Sequence, residues 1–324
     1  MARYVIGIDG GGTKTIALLA EDTGKIIGRT EGGTSAYQVI GGEKLKQVLR
    51  ELVSGLLEEC KIPKDRLAHL FAALSGVGRP GDRKAVTELL TELRISQEVS
   101  VDSDAVAALA GAFGGAEGII LISGTGAICF GKGKDGQVRR SGGWGYLLGD
   151  EGSGYFIGQQ GLIAALKDLD GRGAKTKLRP LFEARYQLNQ IDEIIPKIYQ
   201  GKIDRAEVAS LAPVVFDLAE AGDKVAQEII QQAGVELGKL AKAVAEKLNL
   251  TGSKIQVALI GSVFKRKAVL TPAIAAELRQ LSDSVEILEP QFQPAAGAVI
   301  LALQKLGVPI DERVLTNLSN SAKV

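Results

Sequence analysis

The chain is poor in the residues on which much protein chemistry depends. In 324 residues it has two cysteines, one histidine, one tryptophan and one methionine, and only 5% of its side chains are aromatic. Neither Cys60 nor Cys129 has a C-x-x-C-type neighbour, so a disulfide framework, a structural zinc or a cysteine-held iron–sulfur cluster has little support. Both read as small buried apolar side chains. A Ser-His-Asp hydrolase would have to use His69, and no nucleophile elbow lies near it. Charge of one sign is missing too: 39 basic residues balance 38 acidic ones, for a net charge of +1. With no Lys/Arg-rich run, neither nucleic acid nor an anionic membrane surface is expected as a partner. No apolar run approaches membrane-spanning length and the first residues lack the regions of a signal peptide, so a cytoplasmic location is expected.

Glycine, by contrast, is plentiful, with 41 residues, and its placement is informative. Val5-Ile6-Gly7-Ile8-Asp9 leads into Gly10-Gly11-Gly12-Thr13-Lys14, and Thr15-Ile16-Ala17-Leu18 follows at once. That is the pattern of a β-hairpin with a glycine-rich turn. Successive glycines permit positive φ and leave backbone N–H groups uncovered, so an anion can approach closely. Lys14 adds positive charge, and the Thr13 and Thr15 hydroxyls are candidate donors to phosphate oxygens. Asp9 would hold a hydrated Mg²⁺, because a bare carboxylate against a phosphate is repulsive without a cation. The plain alternative is a tight hairpin with no ligand. A Walker P-loop is excluded, since the GxxxxGK[ST] spacing is missing.

The pattern occurs twice. Gly118-Ile119-Ile120-Leu121-Ile122-Ser123 leads into Gly124-Thr125-Gly126 and returns through Ala127-Ile128-Cys129-Phe130. In both copies a polar glycine turn follows, Asp22-Thr23-Gly24-Lys25 and Lys134-Asp135-Gly136-Gln137, and then arginine with a glycine pair, Arg29 with Gly32-Gly33 and Arg139-Arg140 with Gly142-Gly143. This is an internal repeat on the scale of a half-molecule. Two related domains, each offering a hairpin turn to one ligand, would trap a polyphosphate.

Apolar spacing predicts a helix over 43–60, a strand over Leu67–Leu74 and a charged helix over 82–93. Val99 to Asp104 reads as a strand running out into carboxylates, with Asp102 a second acidic group and helix capping by Ser103 or Asp104 the structural alternative. The small-residue helix 105–112 suits close packing between domains. The densest polar-glycine stretch, Gly142 to Tyr155, holds the only tryptophan and the acidic pair Asp150-Glu151, and suggests a shaped loop that a ligand touches. Residues 155–248 read as mostly helical, 255–260 as a buried strand ending in Gly261-Ser262, and 294–303 as a helix that packs back across the molecule.

Asp9-Gly10-Gly11-Gly12-Thr13-Lys14-Thr15, Ser123-Gly124-Thr125-Gly126, Gly143-Trp144-Gly145 through Gly149-Asp150-Glu151-Gly152-Ser153, and Gly261-Ser262 together resemble the N-acetylglucosamine kinase and BadF/BadG/BcrA/BcrD ATPase family of the actin/hexokinase superfamily. The resemblance runs in order over nearly the whole chain. It implies an α/β fold of two ribonuclease-H-like (actin-like ATPase) domains with an ATP cleft between them, residues 1–112 plus 296–324 forming one and 113–295 the other. It implies ATP and Mg²⁺ as cofactors, with Gly11, Gly12, Thr13 and Lys14 at one phosphate loop, Asp9 on the metal side, Gly124, Thr125 and Gly126 at the other loop, and Gly261 and Ser262 at the adenosine. Asp104 matches the base that takes a proton from a sugar hydroxyl, and Ser123, Gly143, Trp144 and Asp150 match residues around the hexosamine. The implied activity is ATP-dependent phosphorylation of an amino sugar or hexose, in a homodimer; the alternative is a reductase-activating ATPase with no sugar acceptor. One position departs from the kinases: the asparagine that usually binds the sugar is Ala36 here. Ser35 then stands as its substitute, or the substrate is another hexosamine, glucose or the bulkier N-acetylmuramic acid.

Overall fold

The computed structural model describes residues 3–322. The chain forms two compact units, Met1–Glu117 with Pro290–Val324 and Gly118–Glu289. The helix Pro294–Lys305 therefore belongs whole to the first.

Among the described residues each unit holds one five-stranded sheet. In the first, β1 (Tyr4–Gly10), β2 (Thr15–Glu21) and β3 (Ile26–Gly32) form an antiparallel meander. On the other side of β1, β4 (Leu67–Leu74) and β5 (Glu98–Ser103) run parallel to it. In the second, β6 (Gly118–Ser123), β7 (Ala127–Lys132) and β8 (Val138–Gly142) make the meander. There β9 (Ile255–Ile260) and β10 (Val285–Leu288) add in parallel beyond β6. The orders β3-β2-β1-β4-β5 and β8-β7-β6-β9-β10 are the same topology, so the repeat extends from the hairpins to entire sheets. Both are mixed α/β sheets of ribonuclease-H-like, actin-like ATPase type.

Burial explains why these segments became strands. Every residue of β4 is buried, as expected of an inner strand covered on both faces. On one face of the first sheet Ile6, Ile8, Leu19 and Leu70 pack with Leu45, Leu49 and Leu56 of the helix Gly42–Glu59. On the other face Val5, Leu18 and Phe71 pack with Val299, Ile300 and Leu303 of Pro294–Lys305. In the second unit Ile119, Leu121, Val257 and Leu259 join Leu237 and Ala241 of the helix Lys224–Lys247 in a single core.

Small residues let the elements of the first unit approach closely. A Cβ at Gly297 would strike the carbonyl of Ala107, and one at Gly111 would lie 2.9 Å from the carbonyl oxygen of Phe292. The helix Asp104–Ala112 thus packs against Pro294–Lys305 inside its own unit. Its small residues serve that crossing, where the sequence suggested packing between domains.

Candidate active site

In the first turn the Gly11 N–H donates to the Lys14 carbonyl at 2.9 Å. Positive φ is not what the glycines supply, since none of Gly10, Gly11 and Gly12 has it. Gly10 is required for space, because a Cβ there would strike the Ser35 hydroxyl, whereas one at Gly12 would meet nothing within 4 Å. Gly12, Thr13 and Lys14 are exposed. Thr15 is fully buried, its hydroxyl 2.6 Å from the Gly33 carbonyl and 2.8 Å from Ser35 Oγ. That corrects its candidacy as a phosphate donor: the first residue of β2 turns its hydroxyl into the protein and ties down the loop after β3. Ser35 is equally buried and engaged in that tie. Thr34 reinforces it, donating to the Gly11 carbonyl at 3.1 Å.

Two carboxylates stand beside this turn. Asp9 is the penultimate residue of the inner strand β1, and its acid is pushed up to about 6 by burial and by the nearby charge of Asp104, with Lys14 pulling the other way. Asp104 opens the helix that follows β5; burial raises its pKa against the lowering effect of the Ala105 N–H, which donates to its Oδ1 at 2.9 Å. Neither Asp104 nor Ser103 caps the helix through its side chain in the usual reach-forward way, as Ser103 at the N-cap makes no such bond. Asp102 is occupied elsewhere, 3.1 Å from the Arg83 guanidinium. A cavity of about 500 Å³ in this unit is lined by Asp9, Lys14, Ile16, Arg29, Gln293 and Ala296 among others. Glu31 lies 3.5 Å from Lys14 and 3.3 Å from Arg29.

The second turn is fastened differently. The Gly124 N–H donates to the Gly126 carbonyl at 2.9 Å, and the Gly154 N–H to the Gly124 carbonyl at 2.7 Å. Ser123 is buried and donates to the Gly152 carbonyl at 3.0 Å. Asp150 is 4% exposed, sits at φ +64°, and accepts the Ala127 N–H at 3.2 Å and Arg205 Nη2 at 2.8 Å. Gly143 has φ +71°, and the neighbouring Trp144 is 65% exposed with the Arg140 guanidinium 4.4 Å from its ring. Gly261 sits at φ +114°, and a Cβ there would strike the Ser123 carbonyl, so only glycine after β9 lets Ser262 come up beside the turn. Gly124, Thr125, Gly154, Ala209, Phe216 and Ser262 are among the residues lining a cavity of about 370 Å³.

The BadF/BadG/BcrA/BcrD ATPase family matches the chain over residues 6–302. The protein belongs to this family. It is 35% identical to an N-acetylmuramic acid/N-acetylglucosamine kinase of Clostridium acetobutylicum, over 93% of this chain and 98% of that one. It is 33% identical to an N-acetyl-D-glucosamine kinase of Dictyostelium discoideum, over 92% and 97%. A solved structure from Chromobacterium violaceum, provisionally named an N-acetylglucosamine kinase, shares 29% identity and superposes with a TM-score of 0.71, covering 93% of this chain and 99% of that one.

In this family member the first unit brings together Asp9, Lys14 and Asp104, and the second brings together Ser123, Gly124, Thr125, Gly126, Asp150 and Ser262. Sequence reasoning missed Arg205 and the apolar wall formed by Ala206, Ala209 and Phe216. Nothing in the local pattern singles out an arginine that meets its partner 55 residues away. The sparse residues have ordinary places. His69 is buried with Nε2 3.0 Å from Ser100 Oγ, and burial pushes its pKa down. Cys129 lies in the second core, its thiol pushed up by burial, and Cys60 is a half-buried free thiol.

Proposed function

We propose that the protein is an ATP-dependent kinase of an amino sugar or hexose, in which Asp104 accepts the proton of the attacking sugar hydroxyl. The observation that carries this reading is the pairing of Asp104 with Asp9 in one unit, two carboxylates whose pKa values are raised beside a glycine turn with an exposed lysine. A partly desolvated base at the N-terminus of a helix is well placed to take a proton, and a raised pKa brings it nearer the working pH. The sugar oxygen attacks the γ-phosphorus, the bond to the ADP oxygen breaks, and the sugar proton passes to Asp104. Phosphoryl transfer is mostly positioning and charge stabilisation. Gly11, Gly12, Thr13 and Lys14 hold phosphate oxygens at the first turn, Gly124, Thr125 and Gly126 at the second, and Ser262 with the 370 Å³ cavity takes the nucleoside.

Asp9 fits a Mg²⁺ ligand. Ionising it costs energy in the present surroundings, and a cation removes that cost; one carboxylate with waters and phosphate oxygens is the usual Mg²⁺ donor set. When bound, the ion neutralises charge on the phosphate oxygens. For the sugar, Asp150, Gly143, Trp144 and Ser123 are the candidate contacts, with Ser35 and Ala36 at the loop after β3. Ala36 is 6% exposed, so the amide that usually binds the sugar there is replaced by a buried methyl. N-acetylmuramic acid and N-acetylglucosamine, named for the Clostridium relative, are the first substrates to try. We place the reaction in the cytosol and in a homodimer, the latter to be checked by light scattering.

The test is ADP release with Mg·ATP against glucose, glucosamine, N-acetylglucosamine, N-acetylmannosamine and N-acetylmuramic acid, beside a control without sugar. Strong stimulation by an N-acetylated sugar is expected. Equal hydrolysis with and without every sugar would favour an ATPase without a sugar acceptor.

A further inference from the structure

We propose that Arg205 is a positioning residue for the kinase reaction, holding the Asp150 carboxylate and, through it, the Gly124–Gly126 turn in reacting geometry. The inference rests on the reading of Asp150 as a sugar contact.

Asp150 is an expensive residue in this place. It keeps a left-handed backbone without being glycine, φ +64°, and its carboxylate is almost wholly withdrawn from water. Both features cost stability, and neither persists unless the surroundings enforce it. Arg205 is one enforcer, Nη2 to Oδ2 at 2.8 Å; the Ala127 N–H, just beyond the turn, is the other, at 3.2 Å. The pair lies directly against the turn. A Cβ at Gly126 would come within 2.7 Å of Arg205 Nη2 and 2.8 Å of Asp150 Oδ2.

The guanidinium is itself braced. Its centre lies 5.4 Å from the Tyr146 ring, which meets Tyr155 edge-on at 5.0 Å between centroids. Arg205 Nε is buried with no hydrogen-bond partner, so the arginine is fixed at some cost of its own. The short helix it begins, Arg205–Ala209, turns Ala206 and Ala209 into the 370 Å³ cavity. One small element therefore carries the cation that fixes Asp150 and part of the wall assigned to the nucleoside. The arginine side chain is 39% exposed and reaches in to a carboxylate that is buried, and stability alone does not account for that carboxylate, because a buried charge and its partner can often be replaced by apolar groups with no loss.

The experiment is a double-mutant cycle on the full-length protein, with Mg·ATP and the most active sugar of the panel. The variants are Arg205→Ala, Arg205→Lys, Asp150→Asn and Arg205→Ala combined with Asp150→Asn. Arg205→Ala is expected to lower kcat/KM for the sugar about 10- to 100-fold, the range typical of groups that orient a contacting residue, with a smaller rise in KM for ATP passed on through the Gly124–Gly126 turn. Arg205→Lys keeps the charge without the planar fork and recovers part of the loss; it also keeps the test open if the alanine variant does not fold. On the Asp150→Asn background the arginine change should cost nothing further, as for residues acting as a unit. Losses that multiply, or wild-type sugar kinetics in both arginine variants, would overturn the proposal while leaving Asp150 as a sugar contact. Wild-type kinetics in Asp150→Asn would instead remove the reading on which it rests.

Discussion

Asp9 and Ile122 occupy the same place in the two sheets. Each is the penultimate residue of the first meander strand, each is half-buried, and each pairs with an isoleucine of the returning strand, Ile16 and Ile128. In one copy the position carries a carboxylate whose pKa is pushed up to about 6; in the other it is a hydrocarbon. The fifth strands differ in the same way, β5 leading into Asp104 and β10 into Glu289-Pro290 with no buried acid at that point. The turns diverge as well. The first is closed by a Gly11–Lys14 bond and stitched from below by hydroxyls, the second by Gly154 and by a carboxylate–guanidinium pair. A repeated scaffold has kept its topology and diverged in its side chains, with the two carboxylates of raised pKa in one unit and the ion pair and the 370 Å³ cavity in the other.

The sharpest way to break this division is Asp104→Asn, which keeps shape and removes the proton acceptor. Sugar-dependent turnover should fall by about 10²–10⁴-fold, with the circular dichroism spectrum unchanged and no loss of thermal stability at neutral pH. Turnover near wild type would end the role of the first unit as the proton-handling half.

Asp9→Asn comes next and separates function from stability. Because the folded-state pKa is raised, the folded protein holds a proton that the unfolded chain has released at pH values between the ordinary carboxylate range and about 6. Ionised Asp9 therefore costs stability above pH 6, and the cost is relieved as the pH falls through that value. The asparagine variant should lose most Mg·ATP turnover yet be more stable at pH 7.5 by about 1–2 kcal/mol. It should also lose the corresponding pH dependence of melting between about pH 4 and pH 6. In the wild type without nucleotide, Mg²⁺ affinity should weaken as the pH drops below about 6, measured by calorimetry. Unaltered stability of Asp9→Asn at neutral pH would show that the carboxylate is not strained in the way described.

The smallest expected effects compare the turns directly. Gly126→Ala drives a methyl into the Arg205–Asp150 pair and should cost about 1–3 kcal/mol. Gly12→Ala meets open space and should change stability by no more than about 0.5 kcal/mol. Chemical denaturation of the two variants side by side reads the difference; equal costs would mean that the second turn is no more tightly braced than the first.

Much of this asymmetry was legible before the fold was known. The hairpins, the buried strand 67–74 and the run 255–260 stood out because inner strands are continuous apolar blocks. The edge strands β3 and β8 did not, since Arg29, Glu31 and Arg140 on them are exposed and break the pattern. Nor did the helix Glu312–Ser321, which buries only Val314 and Leu318. At the site, glycine and acidic residues announced themselves through motif spacing. The hydroxyls misled: Thr15 looks like a phosphate donor in sequence, and only its contact with Gly33 and Ser35 shows that its hydrogen bond is spent inside the protein. Arg205 was silent because the partner that gives it meaning is brought near only by folding.

The close crossing at Gly111 and Gly297 has a consequence for how the protein is made. The face of the first sheet bearing Val5 and Phe71 is covered by residues from Pro290 onward. On a ribosome adding about 5–20 residues per second, that face waits roughly ten to thirty seconds for its cover while the whole second unit is synthesised. The second unit, continuous in sequence, can be complete before the first is closed. The nascent first unit carries that apolar face uncovered for the interval, and a chain truncated before Pro290 would leave it without the helix Pro294–Lys305.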